Sequence, residues 1–156
     1  MRKVFILGIS LILPYAAGLL GSLATMPAIN TWYDSLTKPF FSPPNWVFSP
    51  VWIILYLFMG IALYRVWSTE TNQPAVRPAI ILFLIQLILN ALWSILFFGL
   101  KSPLLGFIDI TVLLVLIAAL TIKFQYLDKL APYLLIPYLY WVSFATVLNF
   151  AIWQLN

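Results

Sequence analysis

The chain has 156 residues, of which 64% are hydrophobic and 8% are charged, and its mean hydropathy is +1.05. A soluble domain carries about 25% charged residues, so lipid must solvate most of this chain. The absence of cysteine and histidine excludes disulfides, thiolate chemistry and the commonest metal and haem ligands, and we expect no metal site. The net charge of +4 includes no basic cluster interleaved with aromatic residues, so we expect no nucleic-acid partner.

Five apolar stretches are long enough to cross a membrane, since a hydrocarbon core of about 30 Å needs about 20 helical residues. Lipid cannot satisfy backbone polar groups, so each stretch predicts a helix. The sequence therefore predicts an all-α membrane protein, a single bundle of five transmembrane helices that forms one domain over residues 1–156. The predicted spans are residues 4–25, 47–65, 79–100, 103–123 and 132–155.

The first predicted span follows two basic residues, Arg2 and Lys3. This start also fits a signal peptide, but the apolar run is longer than a signal peptide needs. We therefore predict a retained helix.

Residues 26–46 form a predicted loop between the first two spans. A loop of about 20 residues is longer than most, and such loops are usually functional. This one is rich in proline and aromatic residues, and we expect it to form a lid over one end of the bundle. Its proline and aromatic residues include Trp32, Tyr33, Pro39, Phe40, Phe41, Pro43, Pro44 and Trp46.

The basic residues lie unevenly about the predicted spans, and cytoplasmic loops carry the excess. A cytoplasmic N-terminus leaves two basic residues outside, Lys38 and Lys101. We therefore predict that the N-terminus is inside, and that the C-terminus and the lid are outside. The six basic residues then inside are Arg2, Lys3, Arg65, Arg77, Lys123 and Lys129.

Polar and aromatic side chains recur at four-residue spacing in three spans, so each set shares one helix face. Such groups either hydrogen-bond neighbouring helices or line a ligand site. The sets are Trp52, Tyr56, Gly60 and Tyr64 in the second span; Gln86, Asn90 and Ser94 in the third; and Trp141, Ala145, Asn149 and Trp153 in the fifth.

The depth of these residues predicts where they meet. At 1.5 Å per residue, Asn90 and Trp141 lie near mid-membrane, and Trp52 lies in the outer half. We predict a cavity there, beneath the lid, that suits a flat and largely apolar ligand held by stacking and a few hydrogen bonds. The alternative, that these faces pack on one another without a cavity, stays open.

Two further features have structural and functional interpretations. Asp109 is the ionisable group inside a predicted span, and such a carboxylate is a functional candidate, although it can also cap a helix, meet Lys101 or bond a neighbour. The first span contains small residues at four-residue spacing, which permit close contact inside the bundle or between protomers. These pairs are Ala17 with Gly21 and Gly18 with Ser22.

Three stretches carry a distinctive order of aromatic, proline and polar residues, with Asp109 in the fourth span between the last two. Together they resemble, in collinear spacing over nearly the whole chain, the signature of the translocator protein family, also called tryptophan-rich sensory proteins or peripheral-type benzodiazepine receptors. The stretches read Trp32-Tyr33-x-x-Leu36-x-Lys38-Pro39-x-x-x-Pro43-Pro44-x-Trp46, continuing to Trp52; Gln86-x-x-x-Asn90-x-x-Trp93-Ser94; and Pro137-Tyr138-Leu139-x-Trp141-x-x-Phe144-Ala145.

The resemblance implies a five-helix membrane protein, commonly a homodimer, whose pocket is closed by the first loop. Members bind porphyrins such as protoporphyrin IX, with no required cofactor, and many bind cholesterol and synthetic isoquinoline carboxamides or benzodiazepines. The positions of this chain that match the family's pocket are Tyr33, Pro43 and Pro44 in the lid, Trp52 in the second span, Asn90 and Trp93 in the third, and Trp141 and Ala145 in the fifth.

Three functions remain open. The first is a tetrapyrrole-binding sensor, scavenger or transporter. The second is an enzyme that degrades bound porphyrin with light and oxygen, as proposed for some bacterial members; Trp52 and Trp141 match the tryptophan pair linked to that chemistry. The third is a sterol or lipid carrier or an interaction subunit. Residues 147–156 lack the Tyr and the Lys or Arg that end the fifth helix of sterol-handling members, and the compact chain fits a bacterial cell membrane.

Overall fold

The computed structural model describes residues 2–69 and 74–156, and these residues form helices and connecting segments without a β-strand. A 3-10 turn at Asn45–Val47 leads into the third helix, and a π-helical turn at Ile95–Gly99 extends the fourth. The described α-helices are α1 (Arg2–Ile29), α2 (Trp32–Ser35), α3 (Phe48–Trp67), α4 (Val76–Ser94), α5 (Pro103–Gln125) and α6 (Ala131–Leu155).

Five of these helices, all except the short α2, have the length and hydropathy of membrane spans. The chain is therefore an integral, multi-pass membrane protein, and the predicted all-α fold is confirmed. The helices α1, α3, α6, α5 and α4 form a closed ring in that order, because each packs against the next and α4 returns to α1. Buried aromatic and aliphatic side chains, including Phe83, Phe124 and Tyr138, fill the centre of the ring.

The small residues of α1 let it approach its two neighbours closely. A methyl group on Gly18 would overlap the ring of Tyr56 on α3, and one on Gly21 would come within 3.0 Å of the Ser94 hydroxyl on α4. Gly60 of α3 faces α1 in the same way, because a methyl group there would lie 2.9 Å from the backbone oxygen of Ser10. The structure therefore uses the glycines of the two small-residue pairs inside the bundle.

α1 continues through residues 26–29, which the sequence analysis assigned to the lid. Pro27 lies in the last turn of the helix, and its carbonyl oxygen accepts a hydrogen bond from the Thr31 hydroxyl at 2.8 Å. Ala28 is buried against the aromatic residues that hold the lid. The contact with the lid therefore extends the helix beyond the end predicted from local sequence.

The lid is fastened to the bundle at several points. Tyr33 of α2 is 2% exposed, and the Lys38 ammonium donates a hydrogen bond to its carbonyl oxygen at 2.8 Å while lying over its ring. Burial raises the pKa of the Tyr33 hydroxyl. At the end of α6, the Asn156 amide donates to the Thr37 carbonyl oxygen and accepts from the Thr37 N–H, both at 3.0 Å.

The sharp turn between α4 and α5 has a local explanation. Lys101 adopts a positive φ of 53°, and the Ser102 hydroxyl then accepts a hydrogen bond from the Leu105 N–H. Pro103 follows as the first residue of α5, where its missing N–H costs no helical bond. Ser102, rather than Asp109, therefore caps this helix.

Candidate ligand cavity

A cavity of about 430 Å³ lies between α1, α3 and α4, in the half of the bundle nearest the lid. Its volume is in the range of about 300–1,000 Å³ that small-molecule sites occupy. The described residues that line it are Tyr15, Gly18, Leu19, Ser22, Thr25, Met26, Ile29, Phe48, Ser49, Trp52, Ile53, Tyr56, Asn90, Trp93, Ser94 and Phe98.

Aromatic rings form much of the cavity wall and hold one another in place. Trp52 stacks on Tyr56, one helical turn later in α3, with ring centroids 5.4 Å apart. Trp93 stacks on Phe97 of the π-helical turn at 5.5 Å. Tyr15 of α1 meets Tyr56 edge to face at 6.0 Å. These contacts fix flat apolar surfaces of the kind that a planar ligand stacks on.

A chain of hydrogen bonds runs from the cavity into the centre of the bundle. The Tyr56 hydroxyl donates to Asn90 Oδ1 at 3.0 Å, and Asn90 Nδ2 donates to the Tyr138 hydroxyl oxygen at 2.9 Å. The Tyr138 hydroxyl in turn donates to Gln86 Oε1 at 2.8 Å, and Gln86 Nε2 contacts the Met59 sulfur at 3.9 Å. Each polar group thus has a partner, which is what burial in an apolar bundle requires.

Trp93 is oriented by a second polar contact. Its indole N–H donates to Asn149 Oδ1 at 3.0 Å, and Asn149 Nδ2 donates to the Pro103 carbonyl oxygen at 2.8 Å. One asparagine of α6 therefore joins α4 to the start of α5 and holds the indole at the cavity wall.

Some of the ligand-binding residues predicted from the sequence line the cavity, and others lie around it. Trp52, Asn90 and Trp93 line the cavity. Tyr33 lies one layer behind it, because its ring packs on Phe48 and Phe98, which are lining residues.

Pro43, Pro44, Trp141 and Ala145 lie outside the cavity lining. Pro44 is exposed just before the 3-10 turn, and Ala145 is buried in the core. Pro43 and Trp141 line a second hollow of about 560 Å³, on the α3–α6 side of the bundle.

Phe48 lies between the cavity and Trp141. Its ring lines the cavity and meets the Trp141 indole edge to face, with centroids 6.0 Å apart. The two tryptophans singled out by the resemblance, Trp52 and Trp141, therefore border different hollows in this structure.

The contribution of α1 to the cavity was missed by the sequence reasoning. Tyr15, Gly18, Ser22 and Thr25 recur at spacings of three and four residues, so they share a helix face. This spacing is a sequence signal for a cavity face, but small residues at four-residue spacing equally indicate helix packing.

Asp109 is buried on α5, and its Oδ2 atom has no hydrogen-bond partner. The ion pairs among residues 2–69 and 74–156 join Lys38 to Asp34 and Arg65 to Asp128, so Asp109 does not meet Lys101. The same part of the chain contains no group of acidic residues that could hold a metal ion.

The fold and the cavity define a class: a five-helix integral membrane protein with an aromatic cavity beneath a fastened lid. The model of the TspO/MBR family matches residues 10–154 of the chain. The chain therefore belongs to the TspO/MBR family, and the resemblance read from its motifs is confirmed.

Individual relatives are similar in sequence to this chain over most of their lengths. The chain is 43% identical over 155 residues to the tryptophan-rich protein TspO of Chlorobaculum tepidum, covering 99% of this chain and 98% of the relative. It is 47% identical to the protein of the same description from Archaeoglobus fulgidus, covering 94% of each. It is 39% identical to the human translocator protein, covering 80% of this chain and 75% of that protein.

Proposed function

We propose that this protein binds a tetrapyrrole of the protoporphyrin IX class in the cavity between α1, α3 and α4, as a sensor, scavenger or transporter. The observation that carries the proposal is the composition of the cavity wall. Two indoles, those of Trp52 and Trp93, and the Tyr56 phenol line one space of about 430 Å³. Membership of the family, whose members bind porphyrins, supports the same ligand class.

The polar lining groups complement the edge of such a ligand. A protoporphyrin combines a flat apolar macrocycle with two carboxylates, so it needs both stacking surfaces and hydrogen-bond donors. The Ser22 hydroxyl donates to the Leu19 carbonyl oxygen, whereas Ser49 of α3 and Ser94 of α4 bring hydroxyls to the cavity. We propose that stacking supplies most of the affinity and that these hydroxyls orient the carboxylates, with no cofactor required.

Light-driven porphyrin degradation is the alternative function. It needs an excited porphyrin, oxygen and an oxidisable indole close to the ligand. Trp52 meets this condition for a ligand in the cavity, whereas Phe48 lies between that ligand and Trp141. We therefore propose tetrapyrrole binding as the function, and light-driven degradation stays a prediction.

The membrane orientation and the assembly state are also proposals. The excess of basic residues near one set of helix ends supports an N-terminus inside and a C-terminus outside, in a bacterial cell membrane. The resemblance supports a homodimer, whose interface must lie elsewhere than Gly18 and Gly21, since these pack inside the bundle. Sedimentation in detergent measures the assembly state directly.

A titration with protoporphyrin IX in the dark tests the proposed function. We expect saturable quenching of tryptophan fluorescence by the purified protein in detergent or vesicles. Trp52→Phe should weaken binding by about 1 kcal/mol, since the smaller ring covers less of the apolar face of the ligand. Trp153→Phe is the matched control, because Trp153 stacks on Phe107 away from the cavity. The affinity of this variant for protoporphyrin IX should equal that of the wild type.

Two results would contradict the proposal. One is the absence of saturable quenching. The other is equal weakening by Trp52→Phe and Trp153→Phe, which would place any binding outside the cavity. Displacement of the porphyrin by a sterol at a concentration below that of the porphyrin would favour the sterol or lipid carrier alternative.

A further inference from the structure

The cavity has a mouth that faces the lipid phase. Leu19 and Met26 of α1 and Ile53 of α3 line the cavity, yet they are 65%, 73% and 57% exposed. In a membrane-spanning bundle such exposed apolar side chains meet acyl chains. The cavity therefore opens sideways, through the seam between α1 and α3.

The deeper part of this mouth, at Leu19 and Ile53, lies at the depth of the hydrocarbon core, whereas Met26 lies three residues before the end of α1. Leu19 lies ten residues before the end of α1 at Ile29, and Ile53 lies five residues after the start of α3 at Phe48. At 1.5 Å per residue these positions are about 15 Å and about 8 Å from the helix ends nearest the lid. A molecule passing through the mouth therefore comes from among the lipid chains and not from water.

The route through the lid is closed by direct contacts. Tyr33 is nearly fully buried against Phe48 and Phe98 at the lid end of the cavity. The two hydrogen bonds between Thr37 and Asn156 fasten the lid to the end of α6. Passage by this route would break these contacts, whereas the lateral route would break the hydrogen bond from Tyr15 to Ile53.

One hydrogen bond crosses the seam next to the mouth. The Tyr15 hydroxyl of α1 donates to the backbone carbonyl oxygen of Ile53 on α3 at 3.0 Å. The carbonyl oxygen of a helical residue already has a partner in its own helix, so this second bond can break without leaving it unpaired. Tyr15 also touches Tyr56, the first residue of the hydrogen-bond chain.

We propose that the ligand enters and leaves this cavity laterally, from the bilayer, between α1 and α3, with Tyr15 as the fastening across the seam. The inference rests on the proposed function and specifies its ligand class: planar molecules that dissolve in the membrane and carry polar groups on one edge. Ser94 lines the cavity from α4, whereas the mouth residues lie on α1 and α3, so its hydroxyl can bind the polar edge while the apolar part passes the mouth.

The test compares binding rates at the mouth with rates at a neighbouring lipid-facing site. Protein in phosphatidylcholine vesicles is mixed with protoporphyrin IX, and the change in porphyrin fluorescence gives association and dissociation rates. Leu19→Trp places a bulky ring in the mouth. Leu20→Trp is the matched control, since Leu20 is 58% exposed on the same helix but does not line the cavity.

We expect Leu19→Trp to slow both association and dissociation, association by about tenfold, because an obstructed route slows passage in both directions. Leu20→Trp should match the wild type. Tyr15→Phe should speed both rates, since it removes the bond across the seam and keeps the ring. Asn156→Ala, which releases the lid from α6, should leave both rates unchanged.

The outcomes separate the two proposals. Wild-type protein that fails to bind protoporphyrin IX would contradict the proposed function, and the lateral route would fall with it. Wild-type binding with equal rates for Leu19→Trp and Leu20→Trp would overturn the lateral route alone. Faster association in Asn156→Ala would assign the entrance to the lid instead.

Discussion

Asn90 was predicted as a ligand contact, and the structure shows both parts of its amide occupied by protein. Its Oδ1 accepts from Tyr56 and its Nδ2 donates to Tyr138. The residue still lines the cavity, so at the scale of single residues its contribution is to fix the position of the Tyr56 ring. A buried amide with both partners present is a rigid support, because breaking either bond leaves a polar group unpaired in an apolar interior.

The two tyrosines of this hydrogen-bond chain should respond differently to the loss of their hydroxyls. Tyr138→Phe leaves Asn90 Nδ2 and Gln86 Oε1 unpaired in the core, so we expect a loss of about 1–3 kcal/mol in the free energy of unfolding. Tyr56→Phe removes a single bond at the cavity wall, and we expect about 0.5–1.5 kcal/mol. Unfolding of each variant in mild detergent measures both losses of free energy. A larger loss in Tyr56→Phe would contradict the described network.

Phe48 packs between the cavity and Trp141, so it bears on the photochemical alternative. We expect that illumination with protoporphyrin IX in air oxidises Trp52 and Trp93 faster than Trp141, because Phe48 lies between the cavity and Trp141. Phe48→Ala should remove this barrier and raise the oxidation of Trp141 toward that of Trp52. Mass spectrometry of peptides measures the oxidation at each tryptophan. Phe144→Ala is the control, since Phe144 also packs on Trp141 but does not line the cavity.

Equal oxidation of Trp52 and Trp141 in the wild type would show that the ligand reaches both hollows. That result would favour the photochemical alternative, because it would bring the two indoles to one porphyrin.

At the scale of elements, the π-helical turn at Ile95–Gly99 shapes the lid end of the cavity. π turns are rare and often occur at functional sites. This turn places Phe97 against Trp93 and Gly106, and Phe98 at the cavity wall. The contact with Gly106 is close: a methyl group there would lie 2.8 Å from the Phe97 ring and 3.0 Å from Asn149 Oδ1.

Gly106→Ala should therefore disturb the turn and the bond from Trp93 to Asn149. We expect a loss of about 1–3 kcal/mol in the free energy of unfolding, the usual range for overpacking a core, together with weaker porphyrin binding. Gly8→Ala is the matched control. A methyl group on Gly8 meets nothing within 4 Å, so we expect it to stabilise α1 by about 0.5–1 kcal/mol through helix propensity. Equal effects of the two substitutions would contradict the packing described for Gly106.

At the scale of the whole molecule, the ends of the ring are held by different kinds of contact. The lid end depends on aromatic packing and the bonds between Thr37 and Asn156. At the opposite end, Arg65 of α3 forms a two-point ion pair with Asp128, at 2.7 and 2.9 Å. Asp128 Oδ1 also accepts from the backbone N–H groups of Leu130 and Ala131. This carboxylate therefore joins α3 to the start of α6.

The ion pair gives the fold a pH dependence with a definite sign. The hydrogen bond from Arg65 holds the pKa of Asp128 below its ordinary value of 3.8. The unfolded chain therefore takes up this proton first as the pH falls. The stabilisation is complete above about pH 4 and is lost as the pH falls through the lowered pKa of the folded protein.

Asp128→Asn should remove this stabilisation at neutral pH, lowering the free energy of unfolding by about 1–2 kcal/mol. The difference between the variant and the wild type should shrink at acidic pH, because the wild type then loses the same charge. Unfolding curves at neutral pH and below pH 3.8 measure the difference. A difference that stays constant with pH would show that the ion pair contributes no stability.

The sequence by itself determined the five spans, the membrane environment and the family. These depend on the hydropathy of continuous segments and on the spacing of motifs, and both are local properties of the chain. It also identified Trp52 and Asn90 as cavity-lining residues, because four-residue spacing assigns residues to one helix face, and it identified Trp93 through the family motif.

The tertiary structure alone decided which faces meet. The spacing of residues on one helix does not specify the rotation of that helix against its neighbours, which follows from packing between segments distant in the chain. Packing gave α1 one wall of the cavity and placed its two glycines inside the bundle. It also placed Phe48 between the cavity and Trp141. The lateral mouth that we propose depends on the same packing, because it is formed by Leu19 and Met26 of α1 and Ile53 of α3.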